Sequence, residues 1–189
     1  MKTFNSLFCV LVLLSTSAVH AADKSSDEGW SAPTNGLRAR IVLHQQPRPD
    51  RPLKLVPYLE LQNVDDVMGQ LKVSCDTKHC IFELVDGEGK PVHDGESGDR
   101  SGPYANPGTI GLPIDSSIRI NMDCYCWGLS KDAAATVATD SAAWWLKAQQ
   151  RGKVFLRVTL KGMKDVRTDD ASRMWQGQIQ VQTKVDWKD

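Results

Sequence analysis

Beyond residue 21 the chain has no apolar run approaching the roughly 20 residues that a membrane-spanning helix needs. It also has no excess of either charge, with 23 Lys and Arg against 23 Asp and Glu. Nucleic acids and anionic membrane surfaces select basic stripes, so this balance argues against both. Histidine is scarce, and H-E-x-x-H, G-x-S-x-G, C-x-x-C and EF-hand loops are all missing. No nucleophile, base and orienting group stand in a recognisable pattern. The expectation is a protein that is not an enzyme and carries no cofactor.

What the chain does have begins with an export signal. Lys2, the apolar run from Leu7 to Leu14, and the small-residue segment ending in Val19 and Ala21 predict a signal peptide over 1–21. Its removal places the mature protein in the periplasm or outside the cell, without membrane insertion, and takes Cys9 with it. Loss of Lys2 leaves the mature chain about one charge negative. A polar leader over 22–31 ends in Trp30, its one large apolar residue, and 32–189 is long enough for a single domain with a substantial core.

Alternation of apolar and polar residues dominates that domain. In 37–44, Leu37, Ala39, Ile41 and Leu43 share one face and Arg38 and Arg40 the other, which predicts a strand. The same reading applies to 53–64, where Pro57 requires a locally broken pairing or an edge. Further strands are expected in GQLKVSC, CIFELVD, SSIRINMDC, AAWWLKA, KVFLRVTLKG and WQGQIQVQTKV, separated by turns rich in Gly, Pro, Asp and Ser. Between 130 and 143 an Ala-rich stretch suits a helical turn as well as a strand. Many short strands without a long helical period describe an all-β antiparallel sandwich, with Phe155 and Trp175 in its core.

Several phrases carry a resemblance. They are W-x-x-P-x-x-G-L-x-x-R at Trp30, Pro33, Gly36, Leu37 and Arg40, YLELQN at 58–63, and F-E-L-x-D-x-x-G-K-P-V from Phe82 to Val92. LPIDS at 112–116 and W-x-G-x-I from Trp175 to Ile179 complete the set. Together they resemble an uncharacterised family of secreted bacterial immunoglobulin-like β-sandwich domains, also found attached to membrane metallopeptidases of the β-lactam-sensor type. The resemblance implies an immunoglobulin-like fold and no catalytic residue. The company such domains keep also implies an alternative role as regulator or inhibitor of an envelope peptidase.

Four cysteines remain in the mature chain: Cys75, Cys80, Cys124 and Cys126. An even number in an exported protein predicts two disulfides. On one extended strand Cys124 and Cys126 would have Cα atoms roughly 6.6 Å apart, whereas a bridge needs Cβ atoms about 3.8 Å apart. The preferred scheme joins each to the CDTKHC turn, closing loops of roughly 45–50 residues worth about 4 kcal/mol apiece. The competing scheme pairs Cys75 with Cys80 and requires CYC to leave extended geometry. The alternative chemistry is a metal site in which Cys75, His79, Cys80, Cys124 and Cys126 hold zinc or copper.

Remaining candidates concern recognition by an unidentified protein or carbohydrate partner. Six tryptophans include the adjacent pair Trp144 and Trp145, and a strand would send one indole inward and the other outward. An exposed indole would stack on a sugar or a protein, whereas the plainer reading is a covered aromatic. Tyr104 lies in the long loop 94–108, where a specific contact is expected. Asp86, Glu88, Asp94, Glu96 and Asp99 offer oxygen ligands of the kind calcium prefers, but without an ordered loop pattern they read as solvated turn carboxylates.

The cysteine assignment has a direct test in the intact mass of natively exported protein, with and without alkylating reagent and chelator. The expected outcome is four unreactive cysteines and a mass lower by the two hydrogens that each bridge removes. Alkylation that depends on chelation, together with bound metal, would establish the metal site.

Overall fold

A computed structural model describes residues 29–49, 51–65, 69–75, 79–92, 108–123, 131–139, 142–163 and 174–188. The described protein is all-β. Its strands are β1 (Leu37–Gln46), β2 (Leu53–Asn63), β3 (Leu71–Ser74), β4 (Cys80–Asp86) and β5 (Thr109–Leu112). They continue with β6 (Ser117–Asn121), β7 (Ala135–Ala138), β8 (Ala143–Leu146), β9 (Val154–Lys161) and β10 (Gln178–Lys184). One 3-10 turn, Ala148–Gln150, lies between β8 and β9. Every segment expected as a strand contains one, and β5 and β7 are additional. The Ala-rich stretch is therefore a strand: Ala135, Thr136, Val137 and Ala138 are all buried, and small side chains suffice where both faces are covered.

β1, β2, β7 and β8 form a sheet in that order, joined by β6, which also pairs with β2. β10, β9 and β4 make a three-stranded sheet, and β3 and β5 a two-stranded one. The pairing is not wholly antiparallel, because β2 and β7 run parallel. Pro57 accounts for the change of neighbour. One edge of β2 is paired throughout with β1, while the other pairs with β7 at 53–55 and with β6 at 58–62. In an antiparallel ladder a residue's N–H and C=O point to the same side. The Pro57 carbonyl accepts from Met122 N at 3.0 Å, so its missing N–H falls on that same side, where the ladder with β6 ends. The expected break in pairing is observed at this point.

All three sheets contribute to one apolar core. It includes Leu59 and Leu61 of β2, Val73 of β3, Leu84 of β4, Leu112 of β5, and Leu156 and Val158 of β9. Trp175, 2% exposed, joins it as expected and donates its indole N–H to Thr34 O at 2.8 Å. Phe155 does not. Val154, Leu156, Val158 and Leu160 occupy the inward positions of β9, which turns Phe155 to the opposite face, where it is half-buried. No helix among the described residues is long and apolar enough to cross a membrane.

Asn35 and Gly36, both with positive φ (47° and 77°), form the two-residue turn that suits a tight hairpin. Thr34 and Leu37 exchange two backbone hydrogen bonds across it, and Ser31 N donates to Ala39 O at 2.8 Å. Residues 31–34 are thereby folded back along the start of β1. At the end of β9, Gly162 meets the segment after Met174 so closely that an added Cβ would lie 2.5 Å from Trp175 O and 2.7 Å from Gly177 N. Both contacts are backbone and neither can rotate away. Gly162→Ala is expected to lower stability by about 1–3 kcal/mol, whereas Gly87→Ala, with open space at its Cβ, is expected to be near neutral. Thermal melts of the two variants provide the measurement.

Candidate functional site on the outer face of the large sheet

The residues of β1 that alternate with its core positions stand in register with those of β2 and β6. Arg40 faces Glu60, which faces Arg119; Arg38 faces Gln62, then Ser117; Val42 faces Tyr58, then Asn121. One sheet face thus presents three arginines around a single glutamate. Aligned strands lie about 4.8 Å apart, so Glu60 has a guanidinium within reach on each side.

Both are used. Arg40 Nε donates to Glu60 Oε2 at 2.5 Å, and Arg119 donates to Oε1 through Nε and Nη2. Glu60 is 6% exposed, although it sits on the sheet face turned away from the core. Burial alone raises its pKa. The hydrogen bonds from Arg40 and Arg119, reinforced by their charges, outweigh that effect and hold the carboxyl below its ordinary value.

Aromatic rings frame the charges. The Asn35–Gly36 turn brings Trp30 alongside β1, where the Arg38 and Arg40 guanidinium carbons lie 5.0 and 4.7 Å from the ring centre. Such contacts contribute about 0.5–1 kcal/mol each at exposed sites, and Trp30 is the anchor expected at the end of the leader. Across the sheet, Arg119 lies 5.8 Å from the Tyr58 ring, and Tyr58 meets His44 edge-on at 4.9 Å. Arg38 Nε donates to Gln62 Oε1 at 2.8 Å. Farther along β2, Lys54 pairs with Asp123 at 2.5 Å. Sequence reading placed Arg38 and Arg40 on one face. It did not find Glu60 or Arg119, whose roles depend on which strands become neighbours.

Trp144 and Trp145 do point to opposite faces. Trp144 enters the core, while Trp145 shares the outer face with Thr136 and Lys54. The outward indole is nonetheless only 7% exposed. Both indoles are thus covered, as the plainer reading of the pair has it, and neither presents an open ring. Tyr104 lies outside the described residues.

Cys75 and Cys80 are completely buried, and each continues the inward phase of its strand: Leu71, Val73, Cys75 in one, Cys80, Phe82, Leu84 in the other. Cys124 and Cys126 lie outside the described residues. His79 Nδ1 is 3.5 Å from Ser74 Oγ, and its carbonyl accepts from Lys161 N at 2.7 Å. Among the described residues no three His, Cys, Asp or Glu side chains converge as metal ligands. Asp86 serves its own turn, where Oδ1 accepts from the N–H groups of Glu88 and Lys90, both at 2.9 Å. Asp94, Glu96 and Asp99 are outside the described residues.

The chain gives no match to family models, to curated proteins or to solved structures.

A carboxyl with a lowered folded-state pKa contributes stability that is complete above its unfolded pKa and disappears as pH falls through the folded value. Replacing Glu60 by Gln is expected to lower stability at neutral pH by about 1–3 kcal/mol. The gap between wild type and variant should close as pH is lowered through and below about 4. Urea unfolding of both proteins across this pH range measures it.

Proposed function

We propose that this protein is an exported, non-enzymatic binding module, a disulfide-stapled immunoglobulin-like β-sandwich that engages a partner through the outer face of its large sheet. The observation that carries this reading is the Arg40–Glu60–Arg119 row. A nearly buried carboxylate on a sheet's outer face holds two guanidinium groups in fixed positions, beside Trp30 and Tyr58. Arginine, tyrosine and tryptophan are the residues most enriched at protein interfaces. Fixing them in advance also lowers the entropy lost on association. Small molecules favour concave sites, and a row of side chains across three adjacent strands suits a broader partner surface.

Supporting the staple are the export signal and the position of Cys75 and Cys80. A thiolate at either site would be deprived of water, which disfavours an ionised, metal-ready form more than a neutral covalent bridge. The cross-links then join Cys75 and Cys80 to Cys124 and Cys126.

A photo-crosslinking side chain at Ser117, exposed on this face, is compared with one at Gln180, exposed on β10. In natively exported protein the expected outcome is a discrete adduct from Ser117 and none from Gln180. The absence of an adduct at Ser117, or equal adducts from both positions, overturns the reading.

A further inference from the structure

How the partner is held can be taken one step further, on the premise that the large sheet carries the binding surface. We infer that the outer edge of β6 receives an extended segment of another polypeptide, which pairs with it backbone to backbone as an added strand.

The first ground is the phase of the β6 ladder. Asn63 N donates to Ser116 O and Met122 N donates to Pro57 O, both at 3.0 Å. In an antiparallel pair hydrogen-bonded residues alternate with residues that point away. Ile118 and Ile120 therefore turn their N–H and C=O groups toward β2, and Ser117, Arg119 and Asn121 turn theirs outward. All three of these residues are exposed, and among the described residues nothing pairs with their backbone groups.

The second ground is the outline of the sheet. β7 and β6 follow one another along the same edge of β2, and β7 carries β8 on its far side. β6 carries no strand there among the described residues. The sheet thus has a step one strand wide and, for the five residues of β6, roughly 17 Å long. Other edges differ. Ser31 lies on Ala39 of β1, Trp175 on Lys72 of β3 and Val92 on Leu84 of β4. β1 is tied to the segments at both ends of β10, through Asn35 to Gln176 O and through Gln45 to Lys188.

The third ground separates the occupants. Residues of an added strand that pair with Ser117, Arg119 and Asn121 would share their outer face, and the residues between would lie beside Ile118, which is only partly buried against the core. The edge therefore suits a segment that alternates polar with apolar side chains, held by main-chain hydrogen bonds. A second copy fits poorly. Full-length pairing of two β6 edges across a two-fold axis sets Arg119 directly opposite Arg119, and like charges so placed are destabilising. Sliding the register to avoid this shortens the pairing. A charge on an open edge is a common guard against self-association, and it leaves the place to a different chain.

Amide hydrogen exchange followed by nuclear magnetic resonance tests this, on the full mature chain with an acetylated synthetic peptide alternating threonine and valine. The expected result is rapid exchange of the Ser117, Arg119 and Asn121 amides in the free protein, slowed at least about tenfold by the peptide. The same peptide with proline in place of each threonine should have no effect. Ser117→Pro removes one outward donor at the first position of a strand, where proline is tolerated. It should weaken binding by about fivefold to tenfold, while Ser117→Ala binds as wild type and the thermal midpoints agree. The inference is overturned if the three amides are already protected in the free protein, or if the threonine–valine peptide leaves them unprotected. It is also overturned if the proline peptide acts equally, or if Gln178, Gln180 and Gln182 on β10 are protected to the same degree. Dimerisation of the wild type that Ser117→Pro abolishes would make the occupant a second copy and overturn it too. Should adducts form at Ser117 while the peptide protects nothing, strand addition is wrong and the binding surface stands; if both fail, the surface falls as well.

Discussion

The backbone of β2 is committed along both edges, to β1 over its whole length and to β7 and then β6 on the other side. Its one residue without an N–H stands where those two partners change over. Pro57 accepts from Met122 N on its carbonyl and has no N–H to return, so the ladder with β6 stops at Tyr58. From this arrangement follows the register that sets Arg40, Glu60 and Arg119 side by side, and also the parallel entry of β7 that brings β8 and its tryptophans into the sheet.

The two faces of that sheet do different work with the same alternation. One supplies Leu37, Ala39, Leu55, Leu59 and Leu61 to the core. The other carries a carboxylate that is almost as buried as its apolar neighbours, yet is covered by charged and aromatic side chains. Keeping a glutamate ionised there costs desolvation, which the two arginines offset. A threonine or valine would satisfy a structural strand at that position without this cost. The proposed binding role gives the expense a purpose, since Glu60 fixes the orientation of Arg119 at the surface.

Most strand positions were legible in the sequence because period-two alternation is a local property, and it holds in β1, β4, β9 and β10. The departures have identifiable causes. β5 has only four residues, two of them exposed, and little apolar contrast for a pattern to show. β7 was ambiguous because alanine suits both a helix and a strand buried on both faces. Phe155 was expected inside on account of its size, but four inward aliphatics on β9 set the phase. For Trp145 the direction was legible and the covering was not, since alternation determines which way a side chain points and says nothing of what lies over it.

The sequence by itself determined the all-β character, the break at Pro57 and the shared face of Arg38 and Arg40. Each of these rests on residues a few positions apart, where backbone geometry acts directly. Only the tertiary structure decided that Glu60 lies between Arg40 and Arg119, that β7 enters parallel, and that Trp30 rests against two guanidinium groups. Those contacts join residues as far apart as Leu53 and Ala135. They depend on which strands become neighbours, a choice made by the packing of the whole core and by no local pattern.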